Sequence, residues 1–144
     1  RNISGPLPTF YHRLTENKSC FVMDTRRDFI YIQDLVDCVE KSVSGTGQGY
    51  YHISSGGDVS IKELFDATLS ALNIELDAPV EVRPRNPDDA YTILLDPTRT
   101  KDDFGWDVKT ALDAGVSSTI EYYKQYGIEQ TYTHLRIEET TSVE

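Results

Sequence analysis

The chain has 144 residues and a mass of 16.3 kDa, which fits one domain and is too short for a complete two-domain enzyme. Its 38% hydrophobic content supplies one ordinary core, so we expect a globular protein. The formal net charge of −10, from 24 acidic and 14 basic side chains, would repel a phosphate backbone and argues against nucleic acid as a partner.

Membrane and export features are not found in the sequence. No apolar run approaches the roughly 20 residues that span a bilayer, and we expect neither a membrane partner nor an export signal. The chain begins with Arg1 and its single methionine is Met23, so we expect the protein to continue upstream. Cys20 and Cys38 lack a C-x-x-C spacing; they could be two reduced core thiols or one disulfide bridge, and we favour reduced thiols in the cytoplasm.

Apolar spacing predicts strands that alternate with helices. The predicted strands are short runs rich in apolar, aromatic or β-branched residues, at positions 19–23, 27–32, 50–54, 78–83 and 91–95. The predicted helices carry apolar residues three and four positions apart, at positions 9–16, 34–44, 60–72, 97–104 and 110–126. This alternation predicts a mixed α/β domain, a small sheet with three to five helices, over residues 1–128. Residues 129–144 are polar and are predicted to form a loose C-terminal tail.

Helix caps give the clearest local signals. Ser60 and Glu63 form a capping-box pattern, in which each side chain can satisfy a backbone amide at the helix start. Asp34 is placed to cap the second predicted helix, and Asp96 precedes Pro97 at the start of the fourth. The spacing therefore predicts where three helices begin.

Several common kinds of active site have no motif in this sequence. The nine glycines never take the G-x-G-x-x-G spacing, and Gly45, Gly47 and Gly49 follow a predicted helix instead of preceding one. The three histidines lie far apart without metal-like partners, and no G-x-S-x-G pattern occurs. None of the nine tyrosines has a lysine four positions later. We expect no catalytic residue, no metal site and no cofactor site in this chain.

Three linked motifs carry a family resemblance. In chain order they are R-D-F-I-Y-I-Q-D at 27–34, Y-H-I-S-S-G at 51–56 leading into V-S-I-K-E-L at 59–64, and L-D-P-T-R-T at 95–100 followed by F-G-W at 104–106. Together they resemble the C-terminal half of the extended short-chain dehydrogenase/reductases, the NAD-dependent sugar-nucleotide epimerases and dehydratases. UDP-glucose 4-epimerase and dTDP-glucose 4,6-dehydratase are members of that family. The resemblance extends from residue 1 to about residue 126.

A division of labour is what the resemblance implies. In that family the N-terminal Rossmann half binds NAD or NADP and carries the catalytic Tyr-x-x-x-Lys pair, whereas the C-terminal half holds the substrate. This chain resembles the second half alone. The resemblance implies that it binds a nucleoside diphosphate sugar, that NAD or NADP is bound only in the intact protein, and that the fragment does not catalyse alone. The alternative is a stand-alone nucleotide-binding or protein-interaction module. A homodimer could also form through apolar surface left by the missing half.

Two arginine positions of the family carry over. The arginine of the R-D-F motif maps to Arg27, whose planar guanidinium can donate two hydrogen bonds to a diphosphate. The alternative for Arg27 is a surface ion pair with Asp24 or Asp28. A second family arginine closes over the same diphosphate; it maps to Arg85, with Arg83 as the alternative because the loop has gained a residue.

The base and ribose positions of the family map elsewhere. The resemblance places Phe21 in a strand beside the base, with core packing as the alternative for this ring. It places Leu7 and Pro8 in a loop that contacts the same part of the substrate. The sequence departs from the family at His52, where asparagine is usual, and at Arg99, where lysine is usual. Neither position is a family catalyst.

Overall fold

Helices make up most of the regular structure in the computed structural model, which describes residues 2–44, 47–128 and 130–132. The helices of this part of the chain are α1 (Pro6–Thr15), α2 (Ile32–Val43), α3 (Ile61–Leu72), α4 (Thr98–Phe104) and α5 (Leu112–Tyr126). The strands are β1 (Asn2–Ser4), β2 (Phe21–Met23), β3 (Arg26–Arg27), β4 (Val59–Ser60), β5 (Glu81–Arg83) and β6 (Gln130–Tyr132). This arrangement confirms the predicted mixed α/β class.

These strands form three separate pairs. β1 and β6 are parallel, β2 and β5 are parallel, and β3 and β4 are antiparallel. Met23 lies opposite Arg83 in the second pair, and Arg27 lies opposite Val59 in the third. Because β2 and β3 are separated by only two residues, the two pairs bring the segments around Arg27 and Arg83 to one region of the fold.

The main core lies between α1, α3 and α5. Its buried residues are Phe10, Leu14, Val22, Ile61, Leu64, Phe65, Ala67, Val116 and Ile120. The rings of Phe10 and Phe65 meet edge to face with centroids 5.0 Å apart, one of the preferred aromatic geometries. α3 supplies four of these buried residues, Ile61, Leu64, Phe65 and Ala67, so the apolar pattern read from the sequence locates the core correctly.

A second, smaller core lies between α2 and α4. Its buried residues are Cys38, Phe104 and Trp106. The indole Nε1 of Trp106 donates a hydrogen bond to the carbonyl oxygen of Asp34 at 2.8 Å, which fixes α2 to the segment after α4. Cys38 and the half-buried Cys20 are both free thiols, and burial raises the pKa of each.

The predicted capping box at the start of α3 is confirmed. Ser60 Oγ accepts a hydrogen bond from the Glu63 N–H at 3.0 Å, and Glu63 Oε2 accepts one from the Ser60 N–H at 2.7 Å. The backbone hydrogen bond from Ser60 is the main cause that lowers the pKa of Glu63. Asp96 also acts at a helix start, because its carboxylate accepts from the Thr98 N–H at 2.9 Å.

Replacement of the capping serine is expected to destabilise the fold. Ser60→Ala removes the acceptor for the Glu63 amide and should lower the free energy of unfolding by about 1 kcal/mol, as N-cap substitutions typically do. Urea unfolding followed by circular dichroism measures this change. Ser70→Ala, at an exposed position near the end of the same helix, is the control and should have little effect. Equal stability of Ser60→Ala and wild type would mean that the box contributes nothing.

The strand predicted over residues 27–32 is wrong for most of its length. Only Arg26–Arg27 pairs with another strand, and α2 already begins at Ile32. The expected cap role of Asp34 is also wrong, because Asp34 lies inside the first turn of α2. Its buried carboxylate accepts a hydrogen bond from the Thr110 N–H at 3.0 Å and so ties α2 to the start of α5.

The strand predicted over residues 50–54 does not form. Side chains of α4 donate hydrogen bonds to backbone carbonyl oxygens in this segment. Arg99 Nη1 donates to the carbonyl of Tyr50 at 3.3 Å, and Thr100 Oγ1 donates to that of His52 at 2.6 Å. Because a helix supplies these partners, the segment does not need a neighbouring strand.

The predicted tail is described only in part. Gln130–Tyr132 form β6 beside β1, whereas residues 129 and 133–144 lie outside the described residues. The loose tail and the domain boundary at residue 128 therefore stay predictions. Residues 45 and 46, in the glycine segment that follows the second predicted helix, also lie outside the described residues. Across the described ranges, no helix combines the length and apolar character that crossing a membrane requires.

Candidate functional site

Arg27 points its guanidinium at the loop that follows β5. Its Nη1 donates to the carbonyl oxygens of Arg26, Ala90 and Tyr91, at 2.6, 3.0 and 3.3 Å. Within the described residues, Nε and Nη2 have no hydrogen-bond partner, and neither Asp24 nor Asp28 forms an ion pair with this side chain. Arg27 is therefore oriented by neutral acceptors that leave its charge unpaired.

Arg85 is bound to the same loop. Its Nη1 donates to the carbonyl oxygen of Asp89 at 2.7 Å, and the loop is closed by a hydrogen bond from the Asp89 N–H to the carbonyl of Asn86 at 3.0 Å. Asp89 directly precedes Ala90, which Arg27 binds. The structure thus brings the two guanidinium groups predicted from the sequence to carbonyls of consecutive residues.

Arg83 and Phe21 form a different contact. The guanidinium carbon of Arg83 lies 3.8 Å from the centroid of the Phe21 ring, a cation–π geometry. The same guanidinium pairs with the Glu81 carboxylate through Nε at 2.8 Å and Nη2 at 3.0 Å, and this hydrogen bonding is the main cause that lowers the pKa of Glu81. Phe21 is half-buried beside the end of β5, where the loop of residues 84–91 begins; this loop is called the arginine loop below. The charge of Arg83 is neutralised by Glu81.

Leu7 and Pro8 lie in the first turn of α1, so the loop expected for them is wrong. Pro6 occupies the start of that helix, where a proline needs no backbone donor. Pro8 is buried, and Leu7 lines a mainly apolar cavity of about 510 Å³ between the 29–32 segment, α3 and α5. Neither Phe21 nor either arginine of the diphosphate prediction lines this cavity. The structure does not bring Leu7 and Pro8 together with the arginine loop.

A carboxylate that the sequence did not single out joins the two arginine segments. Asp58 Oδ1 accepts from Arg26 Nε at 2.8 Å, and its backbone carbonyl accepts from Arg26 Nη2 at 3.1 Å. Its second carboxylate oxygen accepts a hydrogen bond from the Thr92 hydroxyl. These bonds, with that from Thr92 first, lower the pKa of Asp58. The Asp58 carboxylate therefore binds both β3, through Arg26, and the residue that follows the arginine loop, Thr92.

Asp28 supports the site from the other side of Arg27. Its Oδ2 accepts from Ser54 Oγ and from the Ser55 N–H, both at 2.8 Å. Ser54 Oγ also lies 3.0 Å from the carbonyl oxygen of Leu95. These contacts hold the first motif, the loop of the second and the start of the third together in the fold.

Neutralising Asp58 is expected to change the pH dependence of stability. The pKa of the Asp58 carboxyl is lower in the folded state than in the unfolded state. The ionised carboxylate therefore stabilises the fold above the unfolded pKa, and this stabilisation is lost as the pH falls through the folded pKa. Asp58→Asn should therefore be less stable than wild type at pH 7, and the difference should shrink towards pH 3. Urea unfolding at both pH values measures it. Asp102→Asn, at an exposed α4 residue, is the control. A stability difference that grows on acidification would contradict the assignment.

The next question is whether metal-ligating side chains are grouped anywhere in the described residues. In residues 2–44, 47–128 and 130–132, no group of three or more His, Cys, Asp or Glu side chains is arranged to hold a metal ion. The polar groups that do converge are guanidinium groups and backbone carbonyls around the 84–91 loop. This arrangement can bind and orient an anion.

The fold belongs to the extended short-chain dehydrogenase/reductases, and the comparisons identify the family. Residues 8–119 match the model of the family described as GDP-mannose 4,6 dehydratase. The chain belongs to this family, and its structural relatives are NAD-dependent epimerases and dehydratases. The resemblance derived from the three motifs is thereby confirmed.

Solved structures with the same fold include two enzymes from Bordetella bronchiseptica. WbmH, in complex with NAD+, is 44% identical with a TM-score of 0.80 over 89% of this chain. WbmG, in complex with NAD and UDP, is 35% identical with a TM-score of 0.82 over 92% of this chain. UDP-glucose 4-epimerase of Mycolicibacterium smegmatis is 29% identical over 99 residues, which are 68% of this chain. The match covers 44% of WbmH, 43% of WbmG and 31% of the epimerase, so the chain spans less than half of each.

Proposed function

We propose that this chain is the nucleoside-diphosphate-sugar-binding portion of an NAD(P)-dependent sugar-nucleotide epimerase or dehydratase. In this proposal the catalytic, cofactor-binding half lies outside the chain, and the chain alone binds without reacting. Family membership supports the class of enzyme. The presence of UDP with NAD in the WbmG structure supports a nucleoside diphosphate as the ligand.

The observation that carries the proposal is the difference between two kinds of arginine. Among the described residues, Arg26, Arg83 and Arg99 each face a carboxylate, at 2.8, 2.8 and 3.6 Å. Arg27 and Arg85 bind only backbone carbonyls, which orient a guanidinium without cancelling its charge. Arg13 also binds a backbone carbonyl, that of Ser19, but it lies on α1 and not at this loop. In a chain with a net charge of −10, two uncompensated guanidinium groups at one loop favour an anion there.

The chemistry of a diphosphate fits these two groups. A pyrophosphate presents several oxygens to donors on different sides, and a guanidinium can give two parallel hydrogen bonds to one phosphate. Arg27 retains Nε and Nη2 for this purpose. We favour Arg85 over Arg83 as the second ligand, because Glu81 already pairs with Arg83 through two hydrogen bonds.

Phe21 is the proposed contact for the base. Its ring lies beside the arginine loop, and Arg83 stacked on one face holds it in place. Leu7 lines a separate cavity and Pro8 is buried in α1, so their contact with base or ribose rests on the family resemblance alone. In the proposal the chain contributes binding and orientation, which raise the effective concentration of the sugar at the reacting half.

The cofactor is assigned to the part of the enzyme outside this chain. The residues described here do not fit a dinucleotide cradle, because the strands are two or three residues long and no helix follows a G-x-G-x-x-G turn. In the proposal, hydride transfer takes place in the part of the enzyme outside this chain. Cys20 and Cys38 as free thiols support a reducing compartment such as the cytoplasm for the enzyme.

Calorimetric titration of the chain with UDP and with uridine tests the proposal. UDP should bind at least tenfold more tightly, because uridine offers no phosphate to the two arginines. Titration with dTDP and GDP then ranks the bases. Equal binding of UDP and uridine, or no binding of any nucleoside diphosphate, would reject a diphosphate site at the arginine loop.

A further inference from the structure

Arg26 and Arg27 are adjacent on β3, but their side chains have different partners. Successive residues of a strand project to opposite faces. Arg26 donates to the Asp58 carboxylate through Nε at 2.8 Å and to the Asp58 carbonyl through Nη2 at 3.1 Å. Arg27 donates instead to the carbonyls of Ala90 and Tyr91 in the arginine loop. Arg26 is thus neutralised, whereas Arg27 keeps an uncompensated charge.

The end of the arginine loop is fixed by contacts to Arg26 and Asp58. The carbonyl of Tyr91 accepts a hydrogen bond from the Arg26 N–H at 2.7 Å. The hydroxyl of Thr92, the next residue, donates to the Asp58 carboxylate. Because two of the three carbonyls that Arg27 binds belong to this end of the loop, these contacts determine where the Arg27 guanidinium points. Arg26, Asp58 and Thr92 are called the loop clamp below.

The Asp58 carboxylate is well suited to hold two groups. Its side chain is 15% exposed, less than the 31% of Arg26, and each of its oxygens accepts a hydrogen bond from a different segment. Its lowered pKa keeps this carboxyl ionised at neutral pH. Glu63 is a weaker partner for the same guanidinium, because its Oε2 lies 3.5 Å from Arg26 Nη1 and already accepts from the Ser60 N–H. Asp58 is therefore the main counter-charge in the loop clamp.

We propose that Asp58 and Thr92 are positioning residues for diphosphate binding, because the loop clamp holds the arginine loop in the conformation that orients Arg27. This inference rests on the proposed function, in which Arg27 binds the diphosphate. A loop that is ordered before the ligand arrives loses less conformational freedom on binding, so the affinity is higher. Asp58 thus promotes the binding of an anion although its own charge is negative.

A simple charge effect predicts the opposite result for Asp58. If net charge alone governed the site, Asp58→Asn would remove a repelling carboxylate and UDP would bind more tightly. If the loop clamp positions Arg27, the same substitution loosens the loop and UDP binds more weakly. Thr92→Val is a second variant that changes no charge, because it removes the hydroxyl donor at an exposed position and keeps the shape of the side chain.

Calorimetric titration of the chain with UDP tests the positioning role. Asp58→Asn and Thr92→Val should each raise the Kd about threefold or more, the typical effect of losing one hydrogen bond. Thr92→Ser keeps the hydroxyl and should bind UDP as wild type does. Thr15→Val is the matched control, because Thr15 is also exposed and its hydroxyl donates to the carbonyl of Tyr11 at 2.9 Å, but it lies on α1. The Kd of this control should not change.

Amide hydrogen exchange without ligand measures the order of the loop directly. The Arg26 N–H, which is bonded to the Tyr91 carbonyl, should exchange about threefold faster or more in Thr92→Val than in wild type. The Ile61 N–H, which is bonded to the carbonyl of Thr25 at 3.0 Å, is the internal control and should exchange at the wild-type rate.

Three results would overturn the positioning role. They are unchanged or tighter UDP binding by Asp58→Asn, unchanged UDP binding by Thr92→Val, and an unchanged exchange rate at Arg26 in Thr92→Val. Failure of wild type to bind UDP is a different result, because it rejects the proposed function. Faster exchange at Arg26 would then still show that the loop clamp orders the arginine loop, so the two failures can be told apart.

Discussion

Arg27→Ala is expected to weaken the binding of UDP to this chain at least tenfold. The substitution removes the free Nε and Nη2 donors and one uncompensated positive charge from the arginine loop. Charge-assisted hydrogen bonds to phosphate are among the strongest that side chains make, which is why the effect should be large. Isothermal titration calorimetry of wild type and variant measures the change in Kd.

Two further variants separate the guanidinium from its charge. Arg27→Lys keeps the charge but loses the planar fork, and its Kd should fall between those of wild type and Arg27→Ala. Lys62→Ala removes a positive charge that is paired with Asp66 on the exposed side of α3, and UDP binding should not change. If Lys62→Ala and Arg27→Ala weaken UDP equally, the effect is one of net charge and the site lies elsewhere.

Phe65→Ala is expected to cause the largest loss of stability. The Phe65 side chain is 0% exposed and packs edge to face on Phe10, at the centre of the core between α1, α3 and α5. Truncating a buried phenylalanine to alanine typically costs about 3–5 kcal/mol. Domains of this size are stable by about 5–15 kcal/mol, so a substantial share of the stability should be lost.

Urea unfolding at constant pH measures the effect of Phe65→Ala. Leu76→Ala is the matched control, because Leu76 is an exposed leucine outside both cores and its truncation should change the free energy of unfolding little. A loss below about 1 kcal/mol for Phe65→Ala would show that α3 is not the centre of the core.

The parts of the fold that the sequence predicts well are those set by residues close together in the sequence. The Ser60–Glu63 box and the apolar stripe of α3 are local patterns, and both are confirmed. The segments at 27–32 and 50–54 have strand-like composition, but distant side chains decide their structure. The Thr100 hydroxyl donates a hydrogen bond to the backbone carbonyl of His52, and the Thr110 N–H donates one to the carboxylate of Asp34. No local pattern contains these contacts.

In the candidate site, too, the sequence predicted some residues and missed one whose contacts are distant in the chain. The motif order pointed to Arg27 and Arg85, and the structure places both at one loop. Asp58 was missed because its partners, Arg26 and Thr92, lie 32 and 34 positions away. The only sequence signal was the Arg26–Arg27 doublet itself, because two adjacent positive charges favour a carboxylate nearby.

The most direct test of the account is a double-mutant cycle at Arg27 and Arg85. The Kd for UDP is measured by calorimetry for wild type, Arg27→Ala, Arg85→Ala and the double variant. Each single variant should bind UDP more weakly, and the two losses should not add in the double variant, because both side chains contact one diphosphate. No loss in Arg85→Ala, or losses that add as for independent sites, would contradict a shared diphosphate site.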